Sequence, residues 1–205
     1  EKKAIGALKF TQEYDCKFLG SSLTLLDPNI IGSLKASTPI IENQEGLRIF
    51  TPPVQMVRDS NGKVTQLPHL YFGIVDVSRG IGGDYSALTI IDVSVNPYKV
   101  VATYRNNLVS PLLFPTIIAK LGYDYNEAFL LVEINENGQQ IADILYDELE
   151  YENLLTVVKN GTRGQVLSSG FGRNTGCQIG VKTSTTVKRL GCLAIKTLIE
   201  EHKLS

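Results

Sequence analysis

The sequence predicts a mixed α/β domain, with elements in the order βββ-α-β-α-β-α behind an irregular N-terminal segment. Three observations carry this. Three apolar, β-branched runs follow one another over residues 70–104, separated only by short polar connections. Apolar residues then recur at helical spacing, at Ile141, Ile144, Leu145 and Leu149, and again at Val187, Leu190, Ala194, Ile195, Leu198 and Ile199. Between them, Phe129-Leu130-Leu131-Val132-Glu133-Ile134 is apolar on both of its faces, the pattern of a central strand.

The elements are justified in chain order. Residues 1–35 mix a helix-like start with turn signals at Gly20-Ser21-Ser22 and Asp27-Pro28-Asn29. Residues 36–69 hold Thr51-Pro52-Pro53 and read as a linker or small irregular subdomain, with Asn61-Gly62 marking a hairpin turn. The runs at 70–77, 87–93 and 98–104 form an antiparallel meander. A helix follows over 111–121, with Pro111 tolerated in its first turn. After the strand at 129–134 come a helix over 138–149 and a strand over 154–158. Residues 160–180 contain six glycines and read as a long loop. The last helix spans 183–204, with Thr183 or Ser184 as N-cap. Three regions result: 1–35, 36–69 and a main domain at 70–205.

With 205 residues, 43% of them hydrophobic and 20% charged, the chain has enough material for one or two packed domains. No apolar run is long enough to cross a bilayer, and Glu1-Lys2-Lys3-Ala4-Ile5-Gly6 lacks the hydrophobic core of a signal peptide. Cys16, Cys177 and Cys192, an odd count at unrelated spacings, argue against a disulfide framework or a zinc site and for a reducing cytosol. The net charge of −1 hides an asymmetry. Residues 1–152 carry −7, whereas 153–199 hold seven basic residues (Lys159, Arg163, Arg173, Lys182, Lys188, Arg189, Lys196) and no acid. Such a stretch suits a polyanion, although a solvated face with scattered cations would look the same.

Asp76 and Glu133 stand out as carboxylates near the ends of strongly apolar strands. In a βββ-α-β arrangement the first and fourth strands are parallel neighbours, so these two acids meet at the carboxyl edge of the sheet. Two carboxylates there repel unless a hard divalent cation lies between them. Two-metal phosphodiester hydrolysis needs such a pair. The spacing alone leaves open that both acids merely end strands or pair with Arg79 or Arg105. Asp84, within Gly82-Gly83-Asp84-Tyr85, either supports the same site or serves as a turn residue. Asp92 reads as a surface strand end, and His69 and His202 as solvent-facing. Lys182, Lys188 and Arg189 are candidates for phosphate contact or an ordinary solvated face. The stretch Gly176-Cys177-Gln178-Ile179-Gly180-Val181-Lys182-Thr183 lacks the glycine spacing of a nucleotide-binding loop.

Tyr71-Phe72-Gly73-Ile74-Val75-Asp76-Val77-Ser78-Arg79-Gly80 with Gly83-Asp84-Tyr85, then Val132-Glu133-Ile134-Asn135 with Gly138, resemble the nuclease domain of large terminase subunits. The likeness is strongest to the DNA-packaging motors of T-even-like tailed bacteriophages. Phe10-Thr11-Gln12-Glu13-Tyr14-Asp15-Cys16-Lys17-Phe18-Leu19-Gly20-Ser21 is similar to the segment where that family's ATPase domain hands over to the nuclease. Gly180-Val181-Lys182-Thr183 and the helix after it match its final basic helix.

The resemblance implies an RNase H-like (resolvase-type) fold and an endonuclease that cuts concatemeric double-stranded viral DNA with two Mg²⁺ or Mn²⁺ ions. Asp76 and Glu133 match the first and second metal-binding, catalytic acids, and Asp84 matches a supporting acidic position. The third acid is expected on a strand-helix unit beyond the last helix, where Glu200 and Glu201 do not fit, so the chain reads as an excised fragment of the motor. DNA is expected to be gripped by Arg163, Arg173, Lys182, Lys188 and Arg189. The implied partners are an N-terminal ATPase domain, the portal and the small terminase subunit, in the cytoplasm of an infected bacterial host and without a membrane. Two other readings compete. One is an actin-like or sugar-kinase-type nucleotide-binding domain, which requires a second βββαβα unit. The other is a non-catalytic DNA-binding assembly module.

Overall fold

The computed structural model describes residues 25–34, 36–158 and 177–205. A short helix, α1 (Pro28–Ser33), opens the described chain, capped by the Asp27 side chain accepting from the Asn29 N–H at 2.7 Å. Next come β1 (Ile41–Glu42), β2 (Leu47–Ile49) and the hairpin strands β3 (Val57–Arg58) and β4 (Val64–Gln66). The meander follows as β5 (Tyr71–Asp76), β6 (Ser86–Asp92) and β7 (Lys99–Asn106). Then come α2 (Phe114–Asp124), β8 (Phe129–Val132), α3 (Gly138–Asp143) with a wider helical turn over Ile144–Glu148, β9 (Thr156–Val158), β10 (Cys177–Ile179) and α4 (Thr185–Glu200).

The main sheet has the order β1-β2-β7-β6-β5-β8, antiparallel throughout except for the parallel pair β5–β8. It continues toward β9 through Leu155 N–H donating to Leu130 O at 2.8 Å. The expected meander and its parallel fourth strand are therefore present. So is the hairpin turn, where Asp59 accepts from the Asn61 and Lys63 N–H groups at 2.9 Å each.

Three details differ from the sequence reading. Residues 41–49 add two strands to the main sheet, because Leu47, Arg48 and Ile49 pair with Tyr104, Thr103 and Ala102 of β7. The first helix of the main domain starts at Phe114 with Pro115, not Pro111, in its first turn; Ser110 O closes a preceding turn with Leu113 and Phe114. Asp92 is buried, not on the surface, and its carboxylate contacts His69 Nδ1 at 2.7 Å, so His69 is not free in solvent.

One sheet face forms the core. The alternation along β5, β6 and β8 turns Val75, Leu88, Ile90, Leu130 and Val132 inward, each essentially inaccessible. Phe114, Ile118 and Leu121 of α2 and Ile141 and Leu145 close over them, with Tyr104 stacked on Phe114 at 5.6 Å. Two buried tyrosines, edge to face at 5.1 Å, then tie down residues 51–54. Tyr125 donates to Thr51 O at 2.8 Å, and Tyr71 accepts from Val54 N–H at 2.9 Å. Burial raises the pKa of both hydroxyls. Tyr125→Phe strips a half-buried carbonyl of its donor, so a loss of about 1 kcal/mol is expected in urea denaturation. No loss would show that Thr51 finds another partner. Among the described residues no helix is long and apolar enough to cross a membrane.

Candidate active site

The site follows from one register. In the parallel pair, Val75 stands beside Val132, and the Glu133 N–H donates to Val75 O at 2.9 Å. The next residue on each strand is therefore an acid, Asp76 on one and Glu133 on the other, at the carboxyl edge of the sheet. Glu133 is held from its far side as well. Ile134 N–H donates to Val181 O at 3.0 Å, and Val181 N–H donates to Val132 O at 2.8 Å. This approach needs Gly180, which has φ +77° and whose missing Cβ would lie 2.4 Å from Val132 O. The chain then enters α4, where the Ser184 hydroxyl accepts from Val187 N–H at 3.3 Å.

Asp76 and Glu133 lie within hydrogen-bonding distance of one another. Burial raises the Asp76 pKa, the hydrogen bond and charge of Glu133 raise it further, and Asp84 adds a smaller push against the lowering effect of the Val77 N–H. In the metal-free domain the Asp76 carboxyl therefore holds its proton to a higher pH than an ordinary aspartate. The unfolded chain releases that proton in the ordinary aspartate range and the folded chain at higher pH. Metal-free stability thus falls as pH rises from that range to the raised value, and then levels off.

These acids open onto a cleft of about 810 Å³ whose walls include Arg79, Asp84, Tyr85, Arg105 and Asn135. The loop carrying Asp84 is pinned to the end of β7: Gly82 N–H donates to Asn107 O at 2.8 Å, and Asn107 Nδ2 donates to Gly82 O at 3.1 Å. At its base, Ser78 N–H donates to Ser86 Oγ at 3.0 Å. Neither arginine neutralises the acid pair. Arg79 contacts Glu136 at 3.2 Å, and the Arg105 guanidinium lies over the Tyr85 ring, 3.7 Å from its centroid. The reading in which Asp76 and Glu133 are simple ion-pair partners of Arg79 or Arg105 therefore fails.

Asn135 was not singled out by sequence reasoning. Its Nδ2 donates to Glu133 Oε1 at 3.0 Å and to Thr183 O at 3.2 Å, orienting the carboxylate. Its buried Oδ1 has no partner among the described residues. Its sequence signal is its place in the Val132-Glu133-Ile134-Asn135 run, two residues after Glu133. Among the described residues no three His, Cys, Asp or Glu side chains are gathered closely enough to hold an ion, so Asp84 lines the cleft without closing a cluster. Two carboxylates within hydrogen-bonding distance, the Asp76 proton held there by burial and by the charge of Glu133, form an oxygen donor pair that fits a hard divalent cation in place of that proton.

The predicted DNA contacts divide. Lys182 is exposed directly after the Glu133–Val181 pairing, and Lys188 and Arg189 are exposed on α4. Arg163 and Arg173 lie outside the described residues, as does the segment over 10–21.

The chain is similar to solved structures of phage terminase nucleases. The large terminase nuclease from thermophilic phage G20c with bound magnesium has a TM-score of 0.52 and 15% identity, covering 80% of this chain and 65% of that one. The same nuclease with bound cobalt gives 0.49 at 15% identity, over 80% and 64%. The large terminase nuclease domain of Thermus phage P74-26 gives 0.45 at 15% identity, over 80% and 63%. The chain thus spans just under two thirds of each. The terminase RNase H-like domain family matches residues 73–205, which contain the acid pair, the cleft loop and α4. The protein belongs to the terminase RNase H-like domain family.

Proposed function

We propose that this chain is the metal-dependent endonuclease domain of a packaging motor from a T-even-like tailed phage, cutting concatemeric double-stranded viral DNA. The observation that carries the proposal is the Asp76–Glu133 carboxyl pair at the mouth of an open cleft, with neither acid neutralised by an arginine among the described residues. Asp76 and Glu133 would hold the Mg²⁺ or Mn²⁺ ions, and Asp84 would support the site from the facing loop. A two-ion site supplies a hydroxide nucleophile and stabilises the leaving oxygen.

The chain's own residues do the rest. Asn135 fixes the rotamer of Glu133, and the pinned 78–85 loop sets the width of the cleft. The exposed cations Lys182, Lys188 and Arg189, together with Arg163 and Arg173, hold the DNA backbone, so binding is salt-dependent and largely indifferent to sequence. The domain works in the cytoplasm of the infected bacterium, alongside an ATPase domain, portal and small terminase subunit. Membership of the terminase family supports this reading over the nucleotide-binding one.

The test is nicking of supercoiled plasmid by this chain. Cleavage is expected with Mn²⁺ or Mg²⁺ and none with EDTA. DNA binding unaffected by Asp76→Asn, with no divalent-metal shift in melting temperature, would favour the assembly module instead.

A further inference from the structure

We infer that Arg105 is a DNA-positioning residue, taking a backbone phosphate that neighbours the scissile one. The inference rests on the nuclease reading above and adds a residue that the charge pattern does not reveal, because Arg105 lies in the acidic part of the chain. Its position follows from the register. Asp76 pairs with Ala87 across β5–β6, and Ala87 pairs with Arg105 across β6–β7. Directly paired residues on adjacent antiparallel strands point to the same face. Glu133, Asp76, Ala87 and Arg105 therefore form one lateral row at the end of the sheet. With hydrogen-bonded strands about 4.8 Å apart, Arg105 starts roughly 10 Å from Asp76. Only the methyl group of Ala87 stands between them, so the floor of the cleft stays low along the row.

The guanidinium is held in a particular way. Tyr85 takes one of its flat faces at 3.7 Å, and among the described residues no carboxylate pairs with it. By contrast Arg48 and Arg79 each contact a glutamate. Stacking leaves the N–H edge of a guanidinium available for a two-point contact with a phosphate. A cleft lined by Asp76, Asp84, Glu133 and Glu136 repels DNA, and a cation held to one side of the acids offsets that repulsion where the strand must enter. Tyr85, next to Asp84 on the pinned loop, thereby couples the width of the cleft to the position of the cation.

The experiment measures duplex DNA binding by fluorescence anisotropy in Ca²⁺ across a salt series, for the wild type, Arg105→Ala and Arg105→Lys, with thermal melting of each. Arg105→Ala is expected to bind about tenfold more weakly at 0.1 M salt. Its slope of log affinity against log salt should be shallower by about 0.9, one phosphate contact. Arg105→Lys should recover the slope but not the full affinity, since an ammonium lacks the fork and the stacking surface. An Arg105→Ala slope equal to wild type, whatever its melting temperature, would reduce the residue to a structural partner of Tyr85 and overturn the inference. A wild-type chain with no measurable DNA affinity would overturn the nuclease reading and this inference together.

Discussion

Asp76→Asn is expected to end DNA nicking while making the metal-free domain more stable at neutral pH. The two effects have one cause. Asp76 and Glu133 are packed into hydrogen-bonding distance with no cation beside them among the described residues, and the charge of Glu133 raises the cost of ionising Asp76. An asparagine keeps the shape, donates to Glu133 and carries no charge, so the repulsion disappears. A gain of about 2–4 °C in melting temperature corresponds to roughly 1 kcal/mol for a chain of this size. The wild type's loss of stability with rising pH should flatten in the variant, because the group that holds its proton longer in the folded state is gone. The same substitution removes a proposed metal ligand. Charge stabilisation by a bound ion is worth several kcal/mol, so cleavage in Mn²⁺ should fall about a thousandfold or more. The increase in melting temperature that Mn²⁺ gives the wild type should vanish as well. Undiminished nicking by the variant would refute the ligand assignment, and a lower metal-free melting temperature would refute the account of the repulsion.

The acid pair was legible in the sequence because two strong regularities meet there. An apolar strand ending in a carboxylate is uncommon, and a crossover after a three-strand meander places the fourth strand parallel to the first. Together they bring Asp76 beside Glu133 without any knowledge of the intervening loops. Arg105 and Asn135 were less legible. The place of Arg105 in the row depends on the β6–β7 register, which shifts between Ile90 and Ile91. A register slip of one residue would turn Arg105 to the opposite face. The role of Asn135 depends on the return of the chain at Thr183, 48 residues later. The His69–Asp92 contact spans 23 residues and joins the segment before β5 to the end of β6, so neither residue's local pattern announces it. Likewise β1 and β2, of two and three residues, have too few positions to show a strand period. Only the edge of β7 makes them strands.

The largest effect on stability is expected from Gly138→Ala. Gly138 opens α3 directly after the turn that follows Glu133, and its N–H donates to Asn135 O at 2.9 Å. A Cβ built there would lie 1.8 Å from the Glu133 carbonyl oxygen and 2.8 Å from its carbon. These are backbone atoms of the residue that carries the second acid, and they cannot rotate away as a side chain could. Glu133 is fixed on one side by Val75 and its successor Ile134 on the other by Val181, so the clash must be relieved by moving α3 or by breaking that ladder. Overpacking that forces backbone shifts typically costs 1–3 kcal/mol, and this contact belongs at or above the upper end, about 3 kcal/mol or a fall of roughly 6–12 °C in melting temperature. Because the strain is applied at Glu133, the variant should also lose Mn²⁺-induced stabilisation, which a destabilising change elsewhere in the core would leave in place. Gly191→Ala is the control. It lies on exposed α4 with nothing within 4 Å of its Cβ position, and there the substitution should stabilise by up to about 1 kcal/mol through helix propensity alone. If the two alanines had effects of the same sign and size, the close approach of Gly138 to Glu133 would not be what holds the second acid in place.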